Sequence, residues 1–361
     1  MKYLYYCLFI FSLLLIGCSD KKELFVSFSN PEIEFSGRID TSKVDAAELY
    51  WSGSSIKINF KGESIEVLLK DESGDNYYNI ILDNDSIAIL RLDTIKQYYK
   101  LASELPKGKH TIELFKRAEW DRGKTDFYGF KVNNNAKLLP KSAPKKRKIE
   151  FYGNSITAGY AIEDTTGKDS PEGTFTNNYL SYAAITARHY DAKYKCICRS
   201  GIGITVSWVP QIMPEIYDRL DPLDPNSKWN LSADEPDIVF VNLFQNDTWL
   251  VNLPEHEEFK KRFGTKAPSE KELINAYQQF VGDLRNHYPN ANIICTLGSM
   301  DAAKEGSKWM EYIKVASANL NDKKIYTHFM PYIEATGHPS IEDQQVMANS
   351  LIEFIDKNIE W

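Results

Sequence analysis

Two parts of the chain differ in the period of their hydrophobic pattern. In residues 25–133 apolar and polar side chains alternate, most clearly over residues 56–60 and 65–69, and further β-like runs cover residues 77–82 and 110–115. Clusters of Gly, Asp, Asn, Ser and Pro separate these runs. Alternation places every second side chain on the same face of a strand, and short strands at this spacing are typical of an all-β sandwich. The pattern therefore predicts an N-terminal jelly-roll sandwich over residues 25–133.

After residue 149, nearly continuous apolar runs alternate with amphipathic helical patterns. The predicted strands cover residues 149–152, 193–198, 237–243, 291–297 and 324–328, and the helical patterns cover 179–190, 271–287 and 306–320. Strands that are apolar on both faces favour a parallel sheet covered by helices on each side. Residues 149–361 are therefore predicted to form a three-layer α/β domain with its site at the carboxyl ends of the strands.

The segment between these regions, residues 134–148, has a different composition. It contains two Asn, two Pro and the basic run 145–148. Four charges beside a Pro-containing segment are typical of a solvated connection. We interpret residues 134–148 as the linker between the two domains.

The N-terminus carries an apolar run that follows Lys2 and ends in Leu15, Ile16, Gly17 and Cys18. This run is shorter than the approximately 20 apolar residues of a membrane-spanning helix. It resembles a bacterial lipoprotein signal, in which the Cys is lipidated and becomes the mature N-terminus. The resemblance implies a signal over residues 1–17, lipidation of Cys18, a tether over residues 18–24 and a location at the bacterial cell envelope.

Composition excludes several classes of protein. The 361 residues contain 43 Lys and Arg against 50 Asp and Glu, a net charge of −7, which argues against a nucleic-acid-binding protein. Apart from the predicted signal and Cys18, which lipidation would use, the Cys residues are Cys196, Cys198 and Cys295, an odd set that argues against a disulfide framework and is best interpreted as buried thiols. We expect no metal site and no cofactor.

Chemistry-bearing residues follow the predicted strands of the second domain. Gly153 and Asn154 precede Ser155 where the first strand turns into a helix, a place where backbone N–H groups can stabilise an oxyanion. Helix capping by Asn or Ser is the structural alternative. Gly201 follows the second strand, Asn246 the third, and His338 precedes the last helical segment.

These four blocks, in this order, resemble the SGNH, or GDSL-like, hydrolase superfamily. The resemblance implies that Ser155 is the nucleophile, His338 the base, and Ser155, Gly201 and Asn246 the oxyanion hole. Together with a sandwich that contains Gly37-Arg38, Trp51-Ser52-Gly53 and Gly108-Lys109-His110, the chain resembles carbohydrate esterase family two. That family removes acetyl groups from xylan and related plant polysaccharides, so an acetylated polysaccharide or oligosaccharide is the expected partner. We expect a monomer whose contact with a membrane is the lipid anchor.

Two positions depart from the superfamily pattern. Ala335 stands three residues before His338, where an Asp is usual, which leaves Glu334 or a backbone carbonyl to orient the imidazole. Phe244 stands where the third block usually has Gly, and we expect its ring to reshape the pocket wall.

The tryptophans Trp208 and Trp249 follow two of the blocks and are candidates for stacking on a sugar, with a core position as the alternative. Two other functions stay open. A glycan-binding lipoprotein without activity is consistent with the missing Asp and with Phe244. A lipase of the same superfamily is disfavoured by the sandwich.

Overall fold

The computed structural model describes residues 23–361, so the predicted signal and Cys18 lie outside the described residues. Residues 24–139 form antiparallel strands. In chain order they are β1 (Leu24–Ser27), β2 (Glu34–Ser36), β3 (Ile39–Asp40), β4 (Ala47–Leu49), β5 (Ser55–Lys61), β6 (Ile65–Asp71), β7 (Tyr77–Leu82), β8 (Ser86–Arg91), β9 (Gln97–Ala102), β10 (Lys109–Lys116), β11 (Thr125–Val132) and β12 (Lys137–Leu139).

These strands make two sheets that share one apolar core. One sheet has the order β3-β4-β11-β6-β9, with β1 also paired to β11. The other has the order β12-β5-β10-β7-β8, with β2 also paired to β5. In β5 the buried Ile56, Ile58 and Phe60 alternate with more exposed residues, as the period-two pattern predicts.

The sandwich extends beyond its predicted end. β12 pairs with β5 through Lys137, Leu138 and Leu139, which lie inside the range 134–148 that the sequence assigns to a linker. The three-residue strand is too short for its alternation to be recognised in the sequence.

Residues 148–361 alternate between strands and helices. The elements are β13 (Lys148–Gly153), α1 (Ser155–Ala158), α2 (Tyr182–His189), β14 (Lys193–Cys198), α3 (Met213–Ile216), β15 (Ile238–Asn242), α4 (Gln245–Leu250), α5 (Glu257–Phe263), α6 (Glu270–His287), β16 (Asn292–Leu297), α7 (Lys308–Asn319), β17 (Ile325–Phe329) and α8 (Ile341–Asn358).

The strands form a parallel sheet in the order β14-β13-β15-β16-β17. Every residue of β15 is buried, because helices cover both faces of the sheet. α6 and α7 contribute to the core on one face, and α2 and α8 to the core on the other. The predicted fold class, a sandwich followed by a three-layer α/β domain, is confirmed.

The two domains share a buried interface. Trp51 and Trp120 of the sandwich belong to the apolar core of the α/β domain. Arg38 Nη2 lies 2.6 Å from Glu150 Oε1, and both side chains are fully buried. Burial alone would raise the pKa of the Glu150 carboxyl, but the guanidinium of Arg38 holds it below its ordinary value. Because removal of one member of a buried ion pair typically costs about 3–5 kcal/mol, this contact ties the domains together.

None of the helices between residues 23 and 361 is long and apolar enough to cross a membrane.

Candidate active site

The turn after β13 presents Ser155. Gly153 is required here for space, since a Cβ at this position would lie 2.0 Å from Thr157 Oγ1. The Asn154 side chain caps α1 by accepting a hydrogen bond of 3.0 Å from the Ile156 N–H. Capping is therefore the role of Asn154, and it leaves the Ser155 hydroxyl available for other contacts.

His338 lies within hydrogen-bond distance of Ser155, although 183 residues separate them. His338 Nε2 is 2.8 Å from Ser155 Oγ. The imidazole is brought there by the segment that leads into α8, while Gln344 of α8 donates a hydrogen bond of 3.0 Å to the Ile156 carbonyl. A serine hydroxyl in contact with an imidazole nitrogen is the arrangement that general-base activation of a nucleophile requires.

The acid that orients the imidazole is Asp169. Its Oδ2 lies 2.8 Å from His338 Nδ1, and its Oδ1 accepts the backbone N–H of His338 at 2.8 Å. The hydrogen bond from His338 holds the pKa of the Asp169 carboxyl below its ordinary value. Because Asp169 lies at Nδ1, the suggestion that Glu334 or a backbone carbonyl orients the imidazole is wrong, and Glu334 is exposed.

Asp169 was not identified from the sequence. It lies on the long connection between α1 and α2, far from His338 along the chain, in a left-handed backbone conformation with φ 55°. Gly337, next to His338, leaves room for the Asp169 carboxylate, since a Cβ at residue 337 would lie 2.6 Å from Asp169 Oδ1. Tyr160, also missed, packs its ring 4.9 Å from the imidazole of His338.

The candidate oxyanion donors lie at the same edge of the sheet. Gly153, Cys198 and Asn242 are register partners at the ends of β13, β14 and β15, and Ser155, Gly201 and Asn246 follow them in the chain. Gly201 has φ 80°, a backbone conformation that favours glycine. Within residues 23–361, the N–H groups of Ser155 and Gly201 have no hydrogen-bond acceptor. Both are therefore free to bind a ligand oxygen.

Asn246 is fixed by the loop that carries Gly201. Its Nδ2 donates one hydrogen bond, of 2.8 Å, to the carbonyl of Ile202, and an amide nitrogen carries two hydrogens. The adjacent Asp247 accepts from the backbone N–H groups of Ile204, Thr205 and Val206. Burial raises the pKa of the Asp247 carboxyl. α4 therefore both contributes an amide donor and holds the glycine loop in place.

Phe244 does not form a pocket wall as predicted. Its side chain is fully buried in the core, where the ring centroid lies 4.8 Å from Tyr277 and 5.0 Å from Trp309. Its φ of 88° is the left-handed conformation for which glycine is the usual residue. A glycine at this position is therefore explained by the backbone conformation of the turn and not by the space within the site.

The two predicted tryptophans lie near the oxyanion donors. The side chain of Trp208 is 42% exposed, and the backbone N–H of this residue donates to the Gly201 carbonyl at 2.8 Å. Trp249 lies on α4 beyond Asn246, and its Nε1 donates to Asp301 Oδ2 at 3.3 Å. Both positions are compatible with contact to a sugar ring.

Cys196, Cys198 and Cys295 are buried free thiols, as predicted. In the part of the chain that the structure describes, no three His, Cys, Asp or Glu side chains are grouped so as to hold a metal ion.

Comparison with known proteins identifies relatives of both domains. Residues 35–141 match the family model described as Carbohydrate esterase 2 N-terminal. The chain is 33% identical over 343 residues to Cellulase/esterase CelE of Acetivibrio thermocellus, covering 92% of this chain but 40% of the relative, so it spans less than half of that protein's length. It is 23% identical to an acetylxylan esterase / glucomannan deacetylase of Cellvibrio japonicus, with 97% of each chain covered.

A solved structure is similar to this chain in both sequence and fold. A family two carbohydrate esterase from Clostridium thermocellum, in complex with cellohexaose, superposes with a TM-score of 0.80 at 32% identity. The match covers 90% of this chain and 98% of that one, so it includes both the sandwich and the α/β domain that carries the site. The chain belongs to carbohydrate esterase family two.

Proposed function

We propose that this protein removes acetyl groups from acetylated plant-type polysaccharides, xylan and glucomannan among them. The observation that carries the proposal is the continuous contact from Asp169 through His338 to Ser155, beside two free backbone N–H groups. Family membership and the relatives named for acetylxylan and glucomannan support the substrate class.

The geometry supports a covalent mechanism in two halves. Ser155 Oγ attacks the acetyl carbonyl carbon while His338 Nε2 takes its proton, and Asp169 holds the proton of Nδ1 in the productive orientation. The carbonyl oxygen becomes an oxyanion that accepts from Ser155 N–H, Gly201 N–H and the Asn246 amide. One such donor is typically worth about 3 kcal/mol of barrier.

Collapse of the tetrahedral intermediate breaks the bond between the acyl carbon and the sugar oxygen. His338 returns its proton to that oxygen, so the sugar hydroxyl leaves and acetyl-Ser155 remains. Water then attacks the acyl carbon with the same imidazole as base, and acetate departs as Ser155 recovers its proton. Each proton that His338 accepts is returned within the same half reaction, and Asp169 remains ionised throughout.

The proposal is tested with Ser155→Ala. The wild-type protein is expected to release acetate from 4-nitrophenyl acetate and from acetylated xylan or glucomannan, and the variant is expected to lose at least about 10³-fold in kcat. Comparison of acetate with long-chain esters separates an acetylesterase from a lipase. Undiminished turnover by Ser155→Ala would overturn the assignment.

The alternative of a glycan-binding protein without activity loses both observations that favoured it. Asp169 occupies the place of the missing acid, and Phe244 packs away from the site.

We also propose that Cys18 is lipidated and anchors a monomeric enzyme at the bacterial cell envelope. The apolar run that ends in Leu15, Ile16, Gly17 and Cys18 supports this anchor. Fatty-acid labelling in bacterial cells should be lost in Cys18→Ser, and the released protein should sediment as a monomer.

A further inference from the structure

A carboxylate of the sandwich reaches the loop that carries Gly201. Glu119 lies between β10 and β11, just before the short 3-10 turn Trp120–Arg122, and is 3% exposed. Its Oε2 lies 2.7 Å from Ser200 Oγ, and its Oε1 accepts the backbone N–H of Ser200. The carboxylate of Glu119, in the sandwich, thus accepts hydrogen bonds from both the N–H and the Oγ of Ser200, in the α/β domain.

Ser200 directly precedes Gly201, so its conformation determines where the Gly201 N–H points. The hydrogen bonds from the N–H and Oγ of Ser200 to one carboxylate restrict φ and χ1 of Ser200. The Ile202 N–H donates to the Arg199 carbonyl at 3.2 Å, and this turn restricts ψ of Ser200. The N–H of Gly201 belongs to the peptide that follows Ser200. Because an oxyanion donor must lie about 2.7–3.1 Å from the developing charge, even a small rotation of this peptide weakens catalysis.

The remainder of the loop is held from the other side. Ser207 Oγ accepts the N–H of Gly203 at 2.8 Å, and Asp247 accepts the N–H of Thr205 at 2.7 Å. Glu119 therefore holds the beginning of the glycine loop, and groups of the α/β domain hold its end. The free Gly201 N–H lies between these two points of attachment.

Glu119 is itself held rigidly. Lys116 Nζ, which is buried, donates to the carbonyl of Glu119 at 3.1 Å and to that of Ala118 at 3.1 Å. Arg199, the residue before Ser200, lies 3.4 Å from Asp121 Oδ2, and its guanidinium lies 5.3 Å from the ring of Trp120. The two segments are thus also in contact through the residues that follow Glu119.

The charge of Glu119 would oppose the oxyanion, so its contribution is geometric. Burial raises the pKa of the Glu119 carboxyl. Both forms of the acid can hold Ser200: the carboxylate accepts from N–H and Oγ, whereas the protonated acid accepts from N–H and donates to Oγ. Gln has the same shape as the protonated acid and can make the same two bonds.

We infer that Glu119 is a positioning residue for the oxyanion hole, through which the sandwich domain sets the direction of the Gly201 N–H. This inference rests on the proposed esterase function. It assigns to the sandwich a part in the chemical step, beyond any part in binding glycan.

The test compares Glu119→Ala with Glu119→Gln on 4-nitrophenyl acetate. We expect Glu119→Ala to lower kcat about 10- to 100-fold, less than the complete loss of a donor, while KM changes by less than about twofold. Glu119→Gln should stay within about threefold of the wild-type kcat. Affinity for methylboronic acid, which forms a tetrahedral adduct with the serine, should fall in parallel with kcat in Glu119→Ala.

A matched control separates positioning from loss of stability. Glu48 is a buried carboxylate of the same domain, and its partners Lys43, Tyr50 and Lys124 all belong to the sandwich. Glu48→Ala should lower the melting temperature and leave kcat and boronate affinity unchanged.

Should Glu119→Ala fail to fold, Ser200→Ala removes the hydroxyl bond alone and should lower kcat severalfold. A wild-type kcat in Glu119→Ala or in Ser200→Ala would overturn the inference, as would equal losses of kcat in Glu119→Ala and Glu48→Ala. The wild-type and Ser155→Ala proteins, measured beside them, test the esterase itself, so failure of the proposed function is recognised separately.

Discussion

Replacement of Asp169 by Asn tests whether this carboxylate orients the imidazole of His338, a role that the sequence did not reveal. Asp169 accepts two hydrogen bonds of 2.8 Å from His338, one from the backbone N–H and one from Nδ1. An Asn in the same rotamer can accept the first through its oxygen, but it presents an NH₂ group to Nδ1. Nδ1 must then be the acceptor, which places the imidazole proton on Nε2, facing Ser155. In that tautomer the imidazole cannot take the proton of Ser155.

The size of the effect follows from two limits. In the serine-protease example, the corresponding change costs about 10⁴ in kcat. A hydrogen bond to a charged group is otherwise worth about 1.5–3 kcal/mol, or about 10- to 150-fold. Because the Asp169 side chain is 33% exposed, water can replace part of its interaction. We therefore expect kcat to fall about 10²- to 10³-fold, with little change in KM.

The assay is acetate release under saturating substrate, with Glu334→Gln as the matched control. Glu334 is an exposed carboxylate four residues before His338, so its neutral variant should retain at least half of the wild-type kcat. A kcat within about threefold of wild type in Asp169→Asn would refute the reasoning, and a large loss in Glu334→Gln would return the role to that residue.

Two further substitutions probe the same structure. In Gly337→Ala the new Cβ would lie 2.6 Å from Asp169 Oδ1, so we expect kcat to fall about 10-fold or more while the melting temperature moves by less than about 2 °C; unchanged kcat would contradict this. Glu48→Gln should make the free energy of unfolding depend less on pH in the acid range. Burial acts to raise the pKa of Glu48, but hydrogen bonds from Lys124 and Lys43 lower it from 4.5 to about 2. Its stabilisation, about 1–2 kcal/mol, is therefore complete above pH 4.5 and is lost as the pH falls toward 2, which urea unfolding at several pH values can measure.

The fold was largely predictable because hydrophobic period is a local property. Alternation identified strands such as β5 and β6, and a continuous apolar run identified β15. Ser155, Gly201, Asn246 and His338 could be proposed as site residues because their blocks lie beside recognisable elements in the order that resembles the SGNH superfamily. They could be proposed without knowledge of tertiary contacts.

The residues that were missed depend on such contacts. Asp169 and Glu119 act across 169 and 81 residues of sequence, and neither has a distinctive local pattern. The interpretation of Phe244 was wrong for a related reason, since the direction of its ring follows from a φ of 88° that the sequence does not reveal. Partners that loops bring together are beyond the reach of periodicity.

The ion pair between Arg38 and Glu150 has a consequence for recombination among relatives. A chain that starts at the parallel sheet would retain Glu150 in the middle of β13 without its guanidinium, and would lose the cover that Trp51 and Trp120 give to the core of the α/β domain. The two domains are therefore expected to unfold in a single cooperative transition. Exchange of sandwiches between family members is expected to preserve stability better where both partners of this pair are inherited together.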